Sequence, residues 1–226
     1  MRLSTLRAIL KRARNVFRKD PDRFLKRTRG VIHVGANIGQ ERDLYQRHGL
    51  RVIWIEPIPE VFHTLAGNLR DYPLQKALQC LITDQDDAEY AFHISSNTGA
   101  SSSILDLKLH KDIWPEITYD RTMTLRSTTL ASLIEREQID TSLYDALVMD
   151  TQGSELLVLR GAVPVLRTFR FIKTEVADFE SYAGCCQLKD IEAFLALRGF
   201  REVSRHKFAQ RAQGGGYYDV VYQRQP

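Results

Sequence analysis

Three carboxylates and one glycine turn in this chain have the types and positions to do chemistry together. The turn is Gly35-Ala-Asn-Ile-Gly39, followed by Gln40; it closes the β-branched run Val31-Ile-His-Val34. The acids are Glu56, Asp150 and Glu175, and each stands at or near the end of an apolar run. A carboxylate at a strand tip can accept both hydroxyls of a ribose, take a proton from a hydroxyl, or meet an ammonium. For Asp150 a plainer role is to cap the following helix, and for Glu175 to pair with Lys173 or a nearby arginine. His33 borders the turn, either beside a ligand or as a hydrogen-bonded core histidine.

Strand, glycine turn, helix (Glu41 to His48), strand (Val52 to Ile55) and acid is the layout of a nucleotide-binding βαβ unit. Gly35 and Gly39 would let backbone approach a ligand where a Cβ would collide. A dinucleotide fits poorly: the pattern Gly-x-Gly-x-x-Gly started at Gly35 needs glycine at 37 and 40, where this chain has Asn37 and Gln40. S-adenosylmethionine has a ribose and an amino-acid tail but no phosphate. Glu56 suits that ribose, and the Asn37 and Gln40 amides suit the tail. A turn that binds nothing is the remaining alternative.

Periodicity sets the elements that must hold these residues. Pro59 to Leu69 reads as a helix with Val61, Phe62, Leu65 and Leu69 inward, and Gln75 to Thr83 as the third strand. Glu89 to Ser95 alternates as a partly exposed antiparallel strand. Residues 96–120 include the polar loop Ser95 to Leu105, then His110 and Trp114, and are expected to form a substrate-side insertion. A strand at Arg121–Ser127 and a helix at Thr129–Glu137 precede the buried strand Asp145–Asp150. The next helix, Glu155 to Leu166, should turn Leu156, Leu159 and Val163 inward. Phe169–Val176 is a strand, Gln187–Arg198 a helix closed by Gly199, and 201–208 with 217–223 a final hairpin. The expectation is a Rossmann-like α/β fold: a seven-stranded, mostly parallel sheet with a C-terminal antiparallel hairpin. Its ligands should sit at the carboxyl ends of the strands.

The 226 residues suit one domain with additions. No apolar run approaches the roughly 18 residues of a membrane span, and the start does not read as a secretory signal. Three cysteines, two of them adjacent, suggest reduced thiols and a cytoplasmic setting. No Cys-x-x-Cys or His-x-x-x-His pairing indicates zinc, and nothing visible requires a metal, with a divalent ion bridging Asp150 and Glu175 as the open alternative. Net charge is +4, yet residues 1–29 hold eleven Lys/Arg and two Asp, +9, which leaves −5 for residues 30–226. Leu3, Leu6, Leu10, Ala13 and Phe17 recur every three or four residues among those basic groups, the mark of an amphipathic helix. Such an arm could rest on an anionic surface. It could equally pack on its own domain or on a second copy in a homodimer. Nucleic acid is the poorest fit, since Phe17 is the arm's one aromatic before residue 20.

An ordered set of motifs resembles the FkbM-type methyltransferases: His33-Val-Gly-Ala-Asn-Ile-Gly-Gln40, Ile55-Glu-Pro-Ile-Pro59, Gly99-Ala-Ser-Ser-Ser-Ile-Leu105, Met149-Asp-Thr-Gln-Gly-Ser-Glu-Leu156 with Leu159-Arg-Gly-Ala162, and Lys173-Thr-Glu-Val176. The resemblance covers roughly residues 30 to 200. It implies a class I S-adenosylmethionine-dependent methyltransferase acting on hydroxyls of sugars or secondary metabolites. Placed on these motifs, the cofactor-binding set is His33, Gly35, Ala36, Asn37, Gly39, Gln40, Glu56, Pro57, Ser102 and Asp150. Asp150 or His110 would be the base, with Glu175 as its orienting partner. His33, Ala131, Val148 and Gln152 depart from residues common in the family. Two competing expectations are an NAD-binding oxidoreductase and a non-catalytic scaffold that works through its basic arm.

Overall fold

Strands that are apolar on both faces must be covered on both faces, and this rule fixes the architecture. The computed structural model describes residues 21–225; the amphipathic pattern of residues 1–20 lies outside them. In chain order the elements are β1 (Gly30–Val34), α1 (Arg42–Arg47), β2 (Arg51–Ile55), α2 (Pro59–Asn68), β3 (Gln75–Leu78), β4 (Leu81–Thr83), β5 (Glu89–Ser95), β6 (Tyr119–Thr129), α3 (Leu130–Arg136), β7 (Ala146–Met149), α4 (Glu155–Gly161), β8 (Phe171–Ala177), α5 (Leu188–Ala196), β9 (Phe200–Gln210) and β10 (Gly216–Arg224). Every residue of β1 and β7 is buried.

The main sheet has the order β3-β2-β1-β7-β8-β10-β9, and β10 runs against both its neighbours. This seven-stranded order with one reversed strand is the class I methyltransferase fold. β1 pairs in parallel with β2 on one side and β7 on the other. The chain reverses its direction of travel across the sheet at that point, so the loops leaving β1 and β7 diverge and open a crevice.

On one face Leu133, Leu159, Ile191 and Leu195 from α3, α4 and α5 pack on Ile32, Leu147, Ile172 and Val220. On the other, Tyr45 from α1, Leu65 from α2 and Leu69 just past its end cover Val31, Trp54, Val148 and Phe171. Each large apolar side chain so buried stabilises the fold by roughly 1.5–3 kcal/mol. Phe24 and Leu25, on a single 3₁₀ turn at Arg23–Arg27, join this second layer. Asp22 Oδ1 accepts a hydrogen bond from Lys173 Nζ at 2.8 Å. The packed unit therefore begins before residue 30, and the end of the basic segment belongs to it.

Two elements differ from the sequence expectation. Residues 75–83 are two strands, not one. β3 ends at Leu78, and Leu81–Thr83 pair in parallel with Ser127–Thr129 in a separate three-stranded sheet, β4-β6-β5. An alternating run specifies a strand but not the sheet it joins. Gly161 fixes the new course, because a Cβ there would lie 2.1 Å from Thr83 O. The helix expected to reach Leu166 stops at Gly161, with a 3₁₀ turn at Leu166–Thr168. Pro164 lacks an N–H and would collide with the preceding turn. Val158 consequently takes the inward position, and Val163 is 44% exposed.

Candidate functional site

The crevice between β1 and β7 is an open cleft, at the place where a sheet of this topology holds its ligands. Its floor is Gly35, Ala36, Asn37, Glu56, Pro57 and Asp150; Ile58, Leu81, Ile82 and Phe92 form an apolar wall. Gly99, Ala100 and Ser102 reach it from the 96–120 segment. The serines of that loop order the loop itself. Ser102 Oγ accepts Ser95 N, and Asn97 Oδ1 accepts both Ser95 Oγ and Ser101 N.

Glu56 ends the register of β2 at the cleft floor and is 4% exposed. Its Oε2 accepts Asn37 N and its Oε1 accepts Ile58 N, both at 2.9 Å. Burial outweighs these two bonds and raises its pKa to about 7. Asn37, with φ 44°, and Gln40 line the cleft, but their side chains also close the turn: Asn37 Oδ1 accepts Ile38 N and Gln40 Nε2. The glycines have a different cause from the one expected. Gly35, at φ +82°, would put a Cβ 1.8 Å from Asp150 O, and a Cβ on Gly39 would meet Leu65 Cδ1 at 2.8 Å. Both make room for the protein's own packing, and Gly39 is not part of the cleft lining. His33 edges the cleft while stacking on Trp54 and hydrogen-bonding Tyr45 through Nδ1. Burial, helped by Lys173, holds its pKa near 3, so the ring is neutral.

Asp150 leaves β7 partly buried and does not cap α4; Ser154 is the residue at that position. The buried Glu155 accepts Thr151 N and Gly153 N, closing the turn without it. Asp150 Oδ1 instead accepts Gln152 Nε2 at 2.5 Å, and Gln152 Oε1 accepts the Tyr182 hydroxyl at 2.6 Å. Ser103 Oγ donates to Gln152 O, tying the 96–120 segment to the same turn. Burial first, then Glu155, raises the Asp150 pKa to about 7, against the Gln152 bond.

Glu175 faces a much smaller cavity that it shares with Asp150, Gln152, Tyr182 and Tyr217. Burial and the neighbouring Asp150 carboxylate push its pKa well up. Lys173 is engaged elsewhere, with Asp22 and Asp219. The structure does not bring His110 to the cleft. It is 3% exposed among Trp114, Tyr182 and Tyr217, its Nδ1 hydrogen-bonds the Tyr217 hydroxyl, and burial lowers its pKa to about 4. An inward-pointing histidine in an aromatic box looks the same in sequence as an exposed loop histidine. The sequence also left Tyr182 unmarked, since no periodicity singles it out; Gln152 stood out only for its place two residues after a strand-end acid.

The sequence profile of the methyltransferase FkbM domain matches residues 33–202. The chain belongs to the FkbM methyltransferase family. Membership of a methyltransferase family speaks against the oxidoreductase reading. No match of significance occurs among curated proteins. Among solved structures it is similar to Sp1610 of Streptococcus pneumoniae, at 12% identity, TM-score 0.49, over 86% of this chain and 63% of that one. It is also similar to the magnesium protoporphyrin IX methyltransferase of Synechocystis with bound S-adenosylhomocysteine, at 9% identity, TM-score 0.48, over 86% and 73%. A third is the Burkholderia thailandensis 1,6-didemethyltoxoflavin-N1-methyltransferase, at 12% identity, TM-score 0.45, over 99% and 87%. The FkbM chain thus spans less than two thirds of the length of Sp1610. Among the described residues, no helix is long and apolar enough to cross a membrane.

Proposed function

We propose that this enzyme methylates the oxygen of a hydroxyl group on a small acceptor, a sugar or a secondary metabolite. The observation that carries the reading is Asp150: a carboxylate at the cleft floor, oriented by Gln152 and Tyr182, with a pKa raised to about 7. A base poised near neutral pH combines a useful ionised fraction with real proton affinity.

The cleft fits the methyl donor. Its buried carboxylate, Glu56, keeps lone pairs for two ribose hydroxyls beside the two backbone bonds it already accepts. Ile58, Leu81 and Phe92 offer an apolar slot for the base. Asn37, Gln40 and Asp150 would surround the amino-acid tail. When bound, S-adenosylmethionine supplies a methyl carbon on a sulfonium, already a good leaving group. The protein must then align the acceptor oxygen and remove one proton. Alignment lowers the barrier by pre-paid entropy. Asp150 takes the proton, and the hydrogen bond from Gln152 keeps the receiving oxygen fixed. Glu175, across the smaller cavity, also has its pKa pushed up by burial and by Asp150, and the two acids titrate as an interacting pair.

The test is a screen of hydroxylated acceptors with labelled donor, the product's methyl position read by mass spectrometry and NMR. An O-methyl product lost in Asp150→Asn supports the reading. A methyl on nitrogen or carbon, or full turnover in the variant, overturns it.

A further inference from the structure

Opposite the cleft, the N-terminal edge of the main sheet carries a row of arginines that belongs to no single segment of sequence. Arg51 opens β2, Arg29 precedes β1, Arg170 precedes β8, Arg224 ends the reversed β10, and Arg201 lies at the start of β9. The registers align them: Gly30 pairs with Arg51, Phe171 with Gln223, and Gln223 with Arg201. Five of six successive strands thus present a guanidinium over about 24 Å at the usual interstrand spacing. The sixth, β7, is preceded by Asp145, which is buried and already engaged by Arg29. Arg29, Arg51, Arg201 and Arg224 are exposed. Among the described residues, no ion pair involves Arg51, Arg170, Arg201 or Arg224. Exposed Arg23, Lys26 and Arg27 extend the row toward residue 21. Such a field attracts a polyanion.

We propose that this edge of the domain docks on an anionic phospholipid membrane. The sequence of residues 1–20 favours lipid over nucleic acid. Seven Lys/Arg alternate there with Leu3, Leu6, Leu10, Ala13 and Phe17 at three- and four-residue spacing, a pattern that lays apolar side chains among acyl chains and basic ones among headgroups. A phosphodiester backbone has no use for those leucines. The row also offers no exposed ring for a base to stack on, because Phe171 is buried beneath Arg27 and Arg170. Docked this way, the cleft at the opposite edge faces the aqueous side, and the acceptor reaches it from there.

Sedimentation of the full chain with vesicles tests this. The probes are vesicles of 70:30 phosphatidylcholine to phosphatidylserine, pure phosphatidylcholine vesicles, and a DNA duplex, all in the same buffer of about 0.1 M salt. Anionic vesicles should bind and neutral ones should not. R51Q/R201Q/R224Q should weaken vesicle binding by on the order of 100-fold, about five-fold per arginine, while affinity for S-adenosylmethionine is unchanged. The lysine version of the same triple variant should restore most of the binding. Equal binding to neutral vesicles, wild-type vesicle affinity in the glutamine variant, or tighter binding to the duplex than to anionic vesicles overturns the proposal. Should the glutamine variant fail to fold, salt titration of the wild type decides. Loss of binding at high salt supports the docking edge, and insensitivity refutes it.

Discussion

Replacing Glu56 by glutamine should change how stability depends on pH, by an amount the structure lets one work out. Burial raises the Glu56 pKa from 4.5 to about 7. A carboxylate with a raised folded-state pKa contributes stability at low pH and loses it as pH rises through the folded value. Between pH 5 and pH 8 that loss comes to about 2–3 kcal/mol for a shift of this size. Glutamine cannot ionise, so the variant escapes this loss. It also cannot accept from both Asn37 N and Ile58 N, which costs about 1–3 kcal/mol at every pH. The variant should therefore be less stable than the wild type at pH 5 and close to it at pH 8. Urea unfolding of both proteins, without cofactor, at the two pH values reads the difference. Asp150 and Glu175 titrate in both and cancel. Parallel pH profiles would refute the claim that Glu56 is held in a desolvated site awaiting a ligand.

Asp150→Asn should lower kcat by roughly 10²–10⁴-fold, as read by steady-state kinetics at saturating donor. In the wild type, kcat should climb with pH and level off above about 7, where Asp150 is ionised; stopped pH–rate profiles check this. Tyr182→Phe removes the hydroxyl that fixes Gln152, and should cut kcat about ten-fold, the worth of one buried hydrogen bond, with donor KM unchanged. Gly35→Ala sets a Cβ against Asp150 O at a positive φ, and should destabilise the fold by about 3 kcal/mol or more, seen as a fall in Tm or loss of soluble protein.

The nucleotide-binding half was legible because its signals are local. The run Val31–Val34, the turn at Gly35 and the acid after Ile55 each lie within a few residues of one another, and the structure places Glu56 and Asp150 on one floor. What escaped was set by contacts distant in sequence. Leu81–Thr83 read as the tail of β3, yet Ser127–Thr129 supply their partners. His110 carried the chemistry of a base, but Tyr182 and Tyr217, more than 70 residues away, decide that it is walled in. The glycines were identified correctly as turn residues for a reason that proved different: the carbonyl of Asp150 crosses Gly35. The arginine row appears only once the strand order is known, because its members lie between Arg29 and Arg224.

The central claim is that the β1–β7 cleft binds S-adenosylmethionine through Glu56. Calorimetric titration of the donor into the full chain, beside Glu56→Ala and an NAD control, tests it most directly. Saturable binding of the donor is expected, with silence toward NAD. In Glu56→Ala it should weaken roughly 100-fold or more, the worth of two hydrogen bonds to a charged group. Undiminished binding in Glu56→Ala, or a response to NAD in place of the donor, would contradict the account.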